Sequence, residues 1–436
     1  MNRPASTRSS RDRLEACLAR IEDPAGEGRR AFTKIYADQA RAAADSADRR
    51  AELGLGLGAL DGRIVSIKDL FDVAGETTTA GSKLRRDAAP ASSEAPAIAR
   101  LRAAGVVIVG KTNMTEFAFS GVGINPHYGT PGNPVDRSRI PGGSSSGGAV
   151  SVADGMAEIT IGSDTGGSTR IPAALCGIVG WKPSQYRVPT AGAFPLSYAL
   201  DSIGPMAGSV ADCALADAVM AGDAIAPLTP APLAGLRLGI PQGLLLEGMD
   251  PAVAGAFDAA CKGLGTAGAM LRDHPLPLLQ EMLSVNARGG FAATEAFFIH
   301  REAMDQRPDD FDPMVRGRIE RGRTVLAADY IFMQRRRAEL IAAMDQHLAD
   351  LDALILPTAP IVAPKIADLA GDEAAFTAAN GLLLRNTSVA NFFDLCAISL
   401  PLLVSGLPVG LMLIGRKGQD QRLLRMATAL ESAIRI

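Results

Sequence analysis

The sequence predicts an α/β fold: a single-domain α/β/α sandwich whose helices cover a central mixed β-sheet. Three observations carry this prediction. Between about residues 60 and 240, short β-branched runs alternate with helix-length segments, the pattern of strands joined by crossover helices. Strand-like runs return at Ala353–Leu356, Ala397–Leu403 and Pro408–Ile414, before a closing helical stretch at 420–434. No internal repeat and no long Pro- or Ser-rich linker divides the chain, so residues 1–436 read as one domain.

Taken in order, residues 11–22 and roughly 35–52 read as helices, the second Ala-rich with alternating charges. Gly54, Gly56 and Gly58 then punctuate the chain. Ile64–Ile67 reads as a strand, residues 94–104 as a helix and Val106–Val109 as the next strand. A helix at about 146–155 and the run Ile159–Ile161 follow. The stretch 141–168 is packed with Gly, Ser and Thr yet flanked by strand and helix signals, which marks a structured loop system. Residues 232–350 read as mainly helical, with about 250–350 a variable insertion. Within it, the dense charge run Arg301–Arg323 reads as a solvated face or mobile segment, with a substrate lid as the alternative.

Composition narrows the function classes. Hydrophobic residues are 47% and charged residues 21% of the 436, which supports a large core. A net charge of −3 gives no basic footprint, so no nucleic-acid partner is expected. No run approaches the ~18 apolar residues of a membrane helix, and the N-terminal stretch lacks a secretory apolar segment. Cys17, Cys176, Cys213, Cys261 and Cys396 are scattered without metal spacing; reduced thiols in a cytoplasmic protein are the expectation. Asp154, Glu158 and Asp164 lack a companion His cluster and read as capping or turn residues. No metal and no cofactor are expected. Aromatics at 5% argue against a large aryl pocket.

Two motifs mislead. Gly105–Thr112 matches the Walker A pattern, but Val106, Val107, Ile108 and Val109 are all β-branched. They build a strand where a phosphate cradle needs small residues and a curled backbone. Gly143-Ser144-Ser145-Ser146-Gly147 matches a nucleophile elbow, which needs a preceding strand and a late histidine. Arg139, Ile140 and Pro141 make a poor strand, and His127, His274, His300 and His347 stand in no context suggesting a base.

Three features remain. Lys68 closes the apolar run Val65-Ser66-Ile67; burying an ammonium is costly, and a buried lysine lowers its pKa and becomes a base. The second feature is Pro141-Gly-Gly-Ser144-Ser145-Ser146-Gly-Gly. The third is Gly162-Ser163-Asp164-Thr165-Gly166-Gly167-Ser168-Thr169-Arg170-Ile171-Pro172-Ala173. Each alone has a plain structural reading: a snorkelling lysine, a helix N-cap, a turn serine.

Together with Cys176-Gly-Ile-Val-Gly-Trp181-Lys182-Pro183, these blocks resemble the amidase signature family. Supporting pieces are Gly110–Phe117, Leu200–Pro205 and Gly406–Gly410, so the resemblance is strong over about 60–215 and returns over 395–435. It implies an amidase that hydrolyses a carboxylic amide through an acyl-enzyme. Ser168 would be the nucleophile and Lys68 the base. Ser144 would be the bridge between them, its peptide bond cis. The backbone N–H groups of Thr165, Gly166, Gly167 and Ser168 would form the oxyanion hole. A base working at pH 7 needs lysine depressed by about three pKa units, ~4 kcal/mol, within the range full burial supplies. Asp164 and Arg170 read as scaffold for the loops.

The rival within the family is the glutaminase (A) subunit of a tRNA-dependent amidotransferase. Gly123–Tyr128 departs from its usual Thr-Glu-Asn-Ser-like segment. A catalytically silent binding protein is the alternative from another class. The expected partner is a small-molecule amide, and a homodimer is common for enzymes of this size. Pocket walls are expected from 230–350, 114–130 and 190–200.

Overall fold

The computed structural model describes residues 8–287, 289–402 and 406–434. Its backbone is one mixed sheet of eleven described strands: β1 (Phe32–Ile35), β2 (Ile64–Lys68), β3 (Val107–Thr112), β4 (Ile159–Asp164), β5 (Val179–Lys182), β6 (Ser202–Ala207), β7 (Arg237–Pro241), β8 (Met270–His274), β9 (Ala353–Pro357), β10 (Cys396–Leu402) and β11 (Val409–Gly415). They lie in the order β1-β3-β2-β4-β6-β5-β10-β11-β9-β7-β8. β2 pairs in parallel with both β3 and β4, and β7 with both β8 and β9; the remaining pairs are antiparallel. Every residue of β2, β3 and β4 is buried, as sheets covered on both faces require. The α/β sandwich predicted from the sequence is the observed architecture.

The expected helices appear at Ser10–Glu22, Ala37–Glu52, Pro96–Ala103, Ser146–Ala153 and Asp420–Ile434. The first opens with a capping box, Ser9 accepting from Asp12 N and Asp12 accepting from Ser9 N, which satisfies two of its free donors. The helix expected from about 35 starts at Ala37, because the four residues before it form edge strand β1 against β3. The Walker-like segment lies in β3, Val107–Thr112, paired in parallel with β2; no phosphate loop exists there.

Two corrections concern the second half. Residues 232–350 hold five helices but also strands β7 and β8. A twenty-residue helix, Glu373–Phe392, stands where the sequence suggested only strands. The run expected over Ala397–Leu403 is β10, Cys396–Leu402; Leu403 lies outside the described residues. No helix of the described residues is long and apolar enough to cross a membrane.

Candidate active site

Lys68 is the last residue of β2, fully buried, because a parallel neighbour flanks it on each side. Its Nζ lies 2.8 Å from Ser144 Oγ and 2.9 Å from Ser163 Oγ. Burial pushes its pKa from 10.5 down to about 7, against the opposing pull of Asp201 and Asp164. The amine is thus neutral in a large fraction of molecules near neutral pH.

The serine loop is shaped by backbone too crowded for side chains. Gly142 has φ +77°, and the Gly143–Ser144 peptide is cis, as the resemblance implied. A Cβ on Gly143 would come within 2.7 Å of Gly123 N, so glycine is required there. Gly143 N donates to Gly121 O and Thr115 N to Ser144 O, while Ser145 N donates to Ser168 O at 3.3 Å, joining the two loops. Of the three consecutive serines, Ser144 faces the lysine. The Ser145 and Ser146 hydroxyls are buried without a hydrogen-bond partner among the described residues, and Ser145 makes no side-chain cap to the helix it precedes.

The second loop hangs between β4 and the short helix Arg170–Cys176. Asp164 anchors it, accepting from Thr169 N and Oγ1, Arg170 Nε and Nη2 and Asn391 Nδ2. Burial would raise this carboxyl, but Arg170 and Asn391 hold it well below the usual range. Arg170 is itself fully buried and turned away from the cavity, bonded to Asp164, Thr387 O and Asn391; the scaffold role read from the sequence fits this placement. Thr165 Oγ1 donates to Asp201 at 2.6 Å, and Thr387 Oγ1 donates to Gly166 O at 2.6 Å. Gly167 has φ +139°, and a Cβ there would sit 2.2 Å from Thr387 Oγ1.

The loop's own backbone donors are left unused. Among the described residues, none of the N–H groups of Thr165, Gly166, Gly167 and Ser168 donates to a protein acceptor. Backbone donors in a largely buried setting are nearly always paired, so four successive free ones form a receptor for an acceptor from outside. Ser168 is 3% exposed and opens on the adjacent cavity. Among the described residues no hydrogen bond joins its hydroxyl to that of Ser144. Such contacts often tighten only with substrate in place.

The cavity holds about 320 Å³ and is lined by Thr165, Gly166 and Ser168 on one side. Its walls come from Ala118–Ser120, from Leu196 and Leu200, and from the helical region through Met282, Phe291 and Arg318, the three regions expected. Leu384, Ser388, Asn391 and Phe392 of the unanticipated helix complete it. Phe119, Phe291 and Phe392 make the pocket more aromatic than composition suggested.

Arg318, within the charge run Arg301–Arg323, reaches this cavity. The run's other members pair at the surface, as Arg307 with Asp310 and Arg323 with Glu320. Arg318 lies over the Phe119 ring at 4.7 Å, pairs with no carboxylate among the described residues, and its buried Nε has no partner. Burial, helped by Arg321, lowers its pKa to about 10, so it stays charged at neutral pH.

Sequence reasoning missed Ser163, Thr387, Asn391 and Arg318. Ser163 had a usable signal, since parallel pairing sets Ile67 beside Ile161 and brings the next hydroxyl of β4 near Lys68. The other candidates settle elsewhere. Asp154 pairs with Arg137 and Glu158 with Arg13 and Arg63. His127 bonds to Glu116, His274 stacks near His347, and His300 packs against Phe117. Among the described residues, no group of three His, Cys, Asp or Glu is placed to hold a metal ion.

Comparison with known proteins agrees with this arrangement. The Amidase family model matches residues 12–424. The chain is 38% identical over 407 residues to 2-amino-5-chloromuconic acid deaminase of Comamonas testosteroni, covering 91% of this chain and 87% of that protein. It is 39% identical over 453 residues to the glutaminase-type (A) component of the glutamyl-tRNA(Gln) amidotransferase of Chloroflexus aurantiacus, covering 96% and 92%. The crystal structure of an amidase superimposes with a TM-score of 0.88 at 34% identity, over 98% of this chain and 97% of that one. A match over nearly the whole length, on a chain with this loop geometry, establishes that the protein belongs to the Amidase family.

Proposed function

We propose that this amidase hydrolyses an amide whose acyl part carries a carboxylate, with Ser168 as nucleophile and Lys68, through Ser144, as base. Ser168 Oγ attacks the carbonyl carbon while its proton passes to Ser144 and that of Ser144 to Lys68 Nζ. The N–H groups of Thr165, Gly166, Gly167 and Ser168 receive the oxyanion. The proton returns along the same path to the leaving nitrogen, the C–N bond breaks, and an ester on Ser168 remains. Water then repeats the sequence and releases the acid. The observation that carries this reading is a fully buried amine 2.8 Å from the Ser144 hydroxyl, beside a loop with four unused backbone donors.

The substrate class rests on Arg318. A desolvated guanidinium without a counter-ion is costly; in this cavity a ligand carboxylate would supply one, in a bidentate contact. The remaining walls are largely apolar, which suits a short hydrocarbon spacer between the carboxylate and the amide. The acid named in the Comamonas relative is in keeping with this chemistry. Five free cysteines support a cytoplasmic setting, and light scattering would decide between monomer and homodimer.

The test is a panel of succinamate, glutamine, butyramide and a neutral anilide, read by amine release, with fluorophosphonate labelling of Ser168. Succinamate should lead. Arg318→Lys loses the planar fork and should cost carboxylated amides about 30-fold or more in kcat/KM, from ~2 kcal/mol at a desolvated charge contact. Butyramide should be unaffected. Equal rates for butyramide and succinamate in the wild type would refute the carboxylate. The 39% identity to an amidotransferase component favours a second reading, a glutaminase, for which ammonia release from glutamine would require a further protein of the complex.

A further inference from the structure

Behind Lys68 lies a second cavity, of about 610 Å³, which shares no lining residue with the Ser168 pocket. Ser163, Asp201, Phe194 and Tyr198 form part of its wall, and the exposed Ala191 lies at its edge. Lys68 touches neither cavity directly. Its Nζ meets Ser144 on one side and, on the other, the hydroxyl of Ser163, a residue of the second cavity. Asp201 stiffens the partition: one carboxylate oxygen takes the Thr165 hydroxyl, and the other takes the amides of Leu196 and Ser197.

We propose that this second cavity is a proton port, through which a protonated Lys68 sheds its surplus proton to water by way of the Ser163 hydroxyl while substrate fills the Ser168 pocket. The step balances: Ser163 Oγ accepts a proton from Nζ as its own hydrogen passes to a cavity water, leaving a neutral amine and hydronium. The inference rests on the reading of Lys68 as base.

The need for such a route follows from magnitudes. With the amine titrating at about 7, roughly half of the molecules at neutral pH meet substrate with the base already protonated. A group of that pKa loses its proton to water at about 10³ s⁻¹, taking recombination at a diffusion limit of about 10¹⁰ M⁻¹ s⁻¹. Typical turnover is about 10 s⁻¹. An open port therefore keeps every bound complex productive, whereas a closed one leaves the protonated half waiting for substrate to depart. The charged groups facing the amine are Asp164 at the end of β4 and Asp201 before β6. Asp164 is committed to Arg170. Asp69, next along the chain, is paired with Lys111.

Single-turnover rapid quench, with enzyme in excess over the fastest substrate of the panel, tests the proposal. Wild type should give one exponential at all pH values from 6 to 9. Ser163→Ala should give two phases, the fast amplitude near half at the pH where its own Lys68 is half-protonated and rising toward one at pH 9. Ala191→Trp, which narrows the cavity and leaves Ser163 in place, should give the same split. A single phase in both variants, whether at the wild-type rate or uniformly slowed, would overturn the port and leave Ser163 as a positioning residue. Lys68→Ala separates the two failures: if it is inactive while both variants stay monophasic, the port is wrong and the base reading stands.

Discussion

Replacing Lys68 by methionine should abolish turnover and yet make the fold more stable near neutral pH. The unfolded chain holds the lysine proton below about 10.5, the folded chain only below about 7. At about 1.36 kcal/mol per pKa unit, keeping the amine depressed costs the native state about 4 kcal/mol at pH 7. The sign follows from proton counting: between those two values the unfolded state binds more protons, so wild-type stability rises with pH across that window and is flat below it. Methionine has no such slope. It does lose the contacts to Ser144 and Ser163, which removes roughly 1 kcal/mol each. Lys68→Met should therefore be about 2 kcal/mol more stable than wild type at pH 7 and less stable near pH 10. Urea midpoints at unit pH intervals measure the crossing, and the acidic limb of wild-type kcat/KM, expected near 7, reports the same titration independently. A stability difference constant from pH 6 to 10, or a rate profile without a limb between 6 and 8, would refute a depressed lysine.

The remaining expectations follow from the two loops. Ser168→Ala should abolish turnover and fluorophosphonate labelling at unchanged melting temperature. Ser144→Ala should lose less, since water can stand in for the relay, and Ser145→Ala, whose hydroxyl has no partner, should lose least. A Ser145 variant worse than the Ser144 variant would place the register of the bridge one residue off. Gly167→Ala combines a left-handed φ with a contact of 2.2 Å on Thr387; displacing the donor loop should cost ~10²–10³ in kcat, with KM the lesser change. Arg170→Gln leaves the Asp164 charge unneutralised near Lys68, so the acidic limb of kcat/KM should move to higher pH, alongside a stability loss of about 3 kcal/mol from the broken buried pair.

Much of the site could be read from the sequence because its chemistry is local and costly. A lysine closing an apolar run, and serines set among glycines, have few structural uses. What could not be read depends on register and on tertiary burial. β6 contains Gly204 and Pro205, residues that argue against an inner strand. Gly204 is needed because a Cβ would meet Trp181 O at 2.0 Å. The helix Glu373–Phe392 buries Asn380, Asn386, Thr387 and Asn391 along with its apolar residues, which erases the stripe on which helix recognition depends. β8, exposed along much of its length at the sheet edge, offers no apolar run at all. Arg318 was hidden for a different reason: in a segment with so many surface pairs, only the three-dimensional packing distinguishes the one turned inward.

A neutral lysine also needs its neighbours kept from recharging it, and the surrounding polar residues accomplish this. Two carboxylates approach Lys68, and each alone would pull its pKa back up. Asp164 stays ionised, but its charge is absorbed by Arg170 and by the amide of Asn391. Burial raises Asp201 to about 6, with Glu295 adding to the rise, while Thr165 and two backbone amides hold part of its charge. Glu295 in turn binds the Ser197 hydroxyl and accepts from Tyr330, so the variable helices fasten the same loop that positions Asp201. The residues holding the amine free of a proton are therefore those that aim the Thr165–Ser168 donors. A helical layer free to change its pocket-facing side chains can do so only while Glu295 and Ser197 keep that link, because loosening it would disturb the base and the oxyanion loop together.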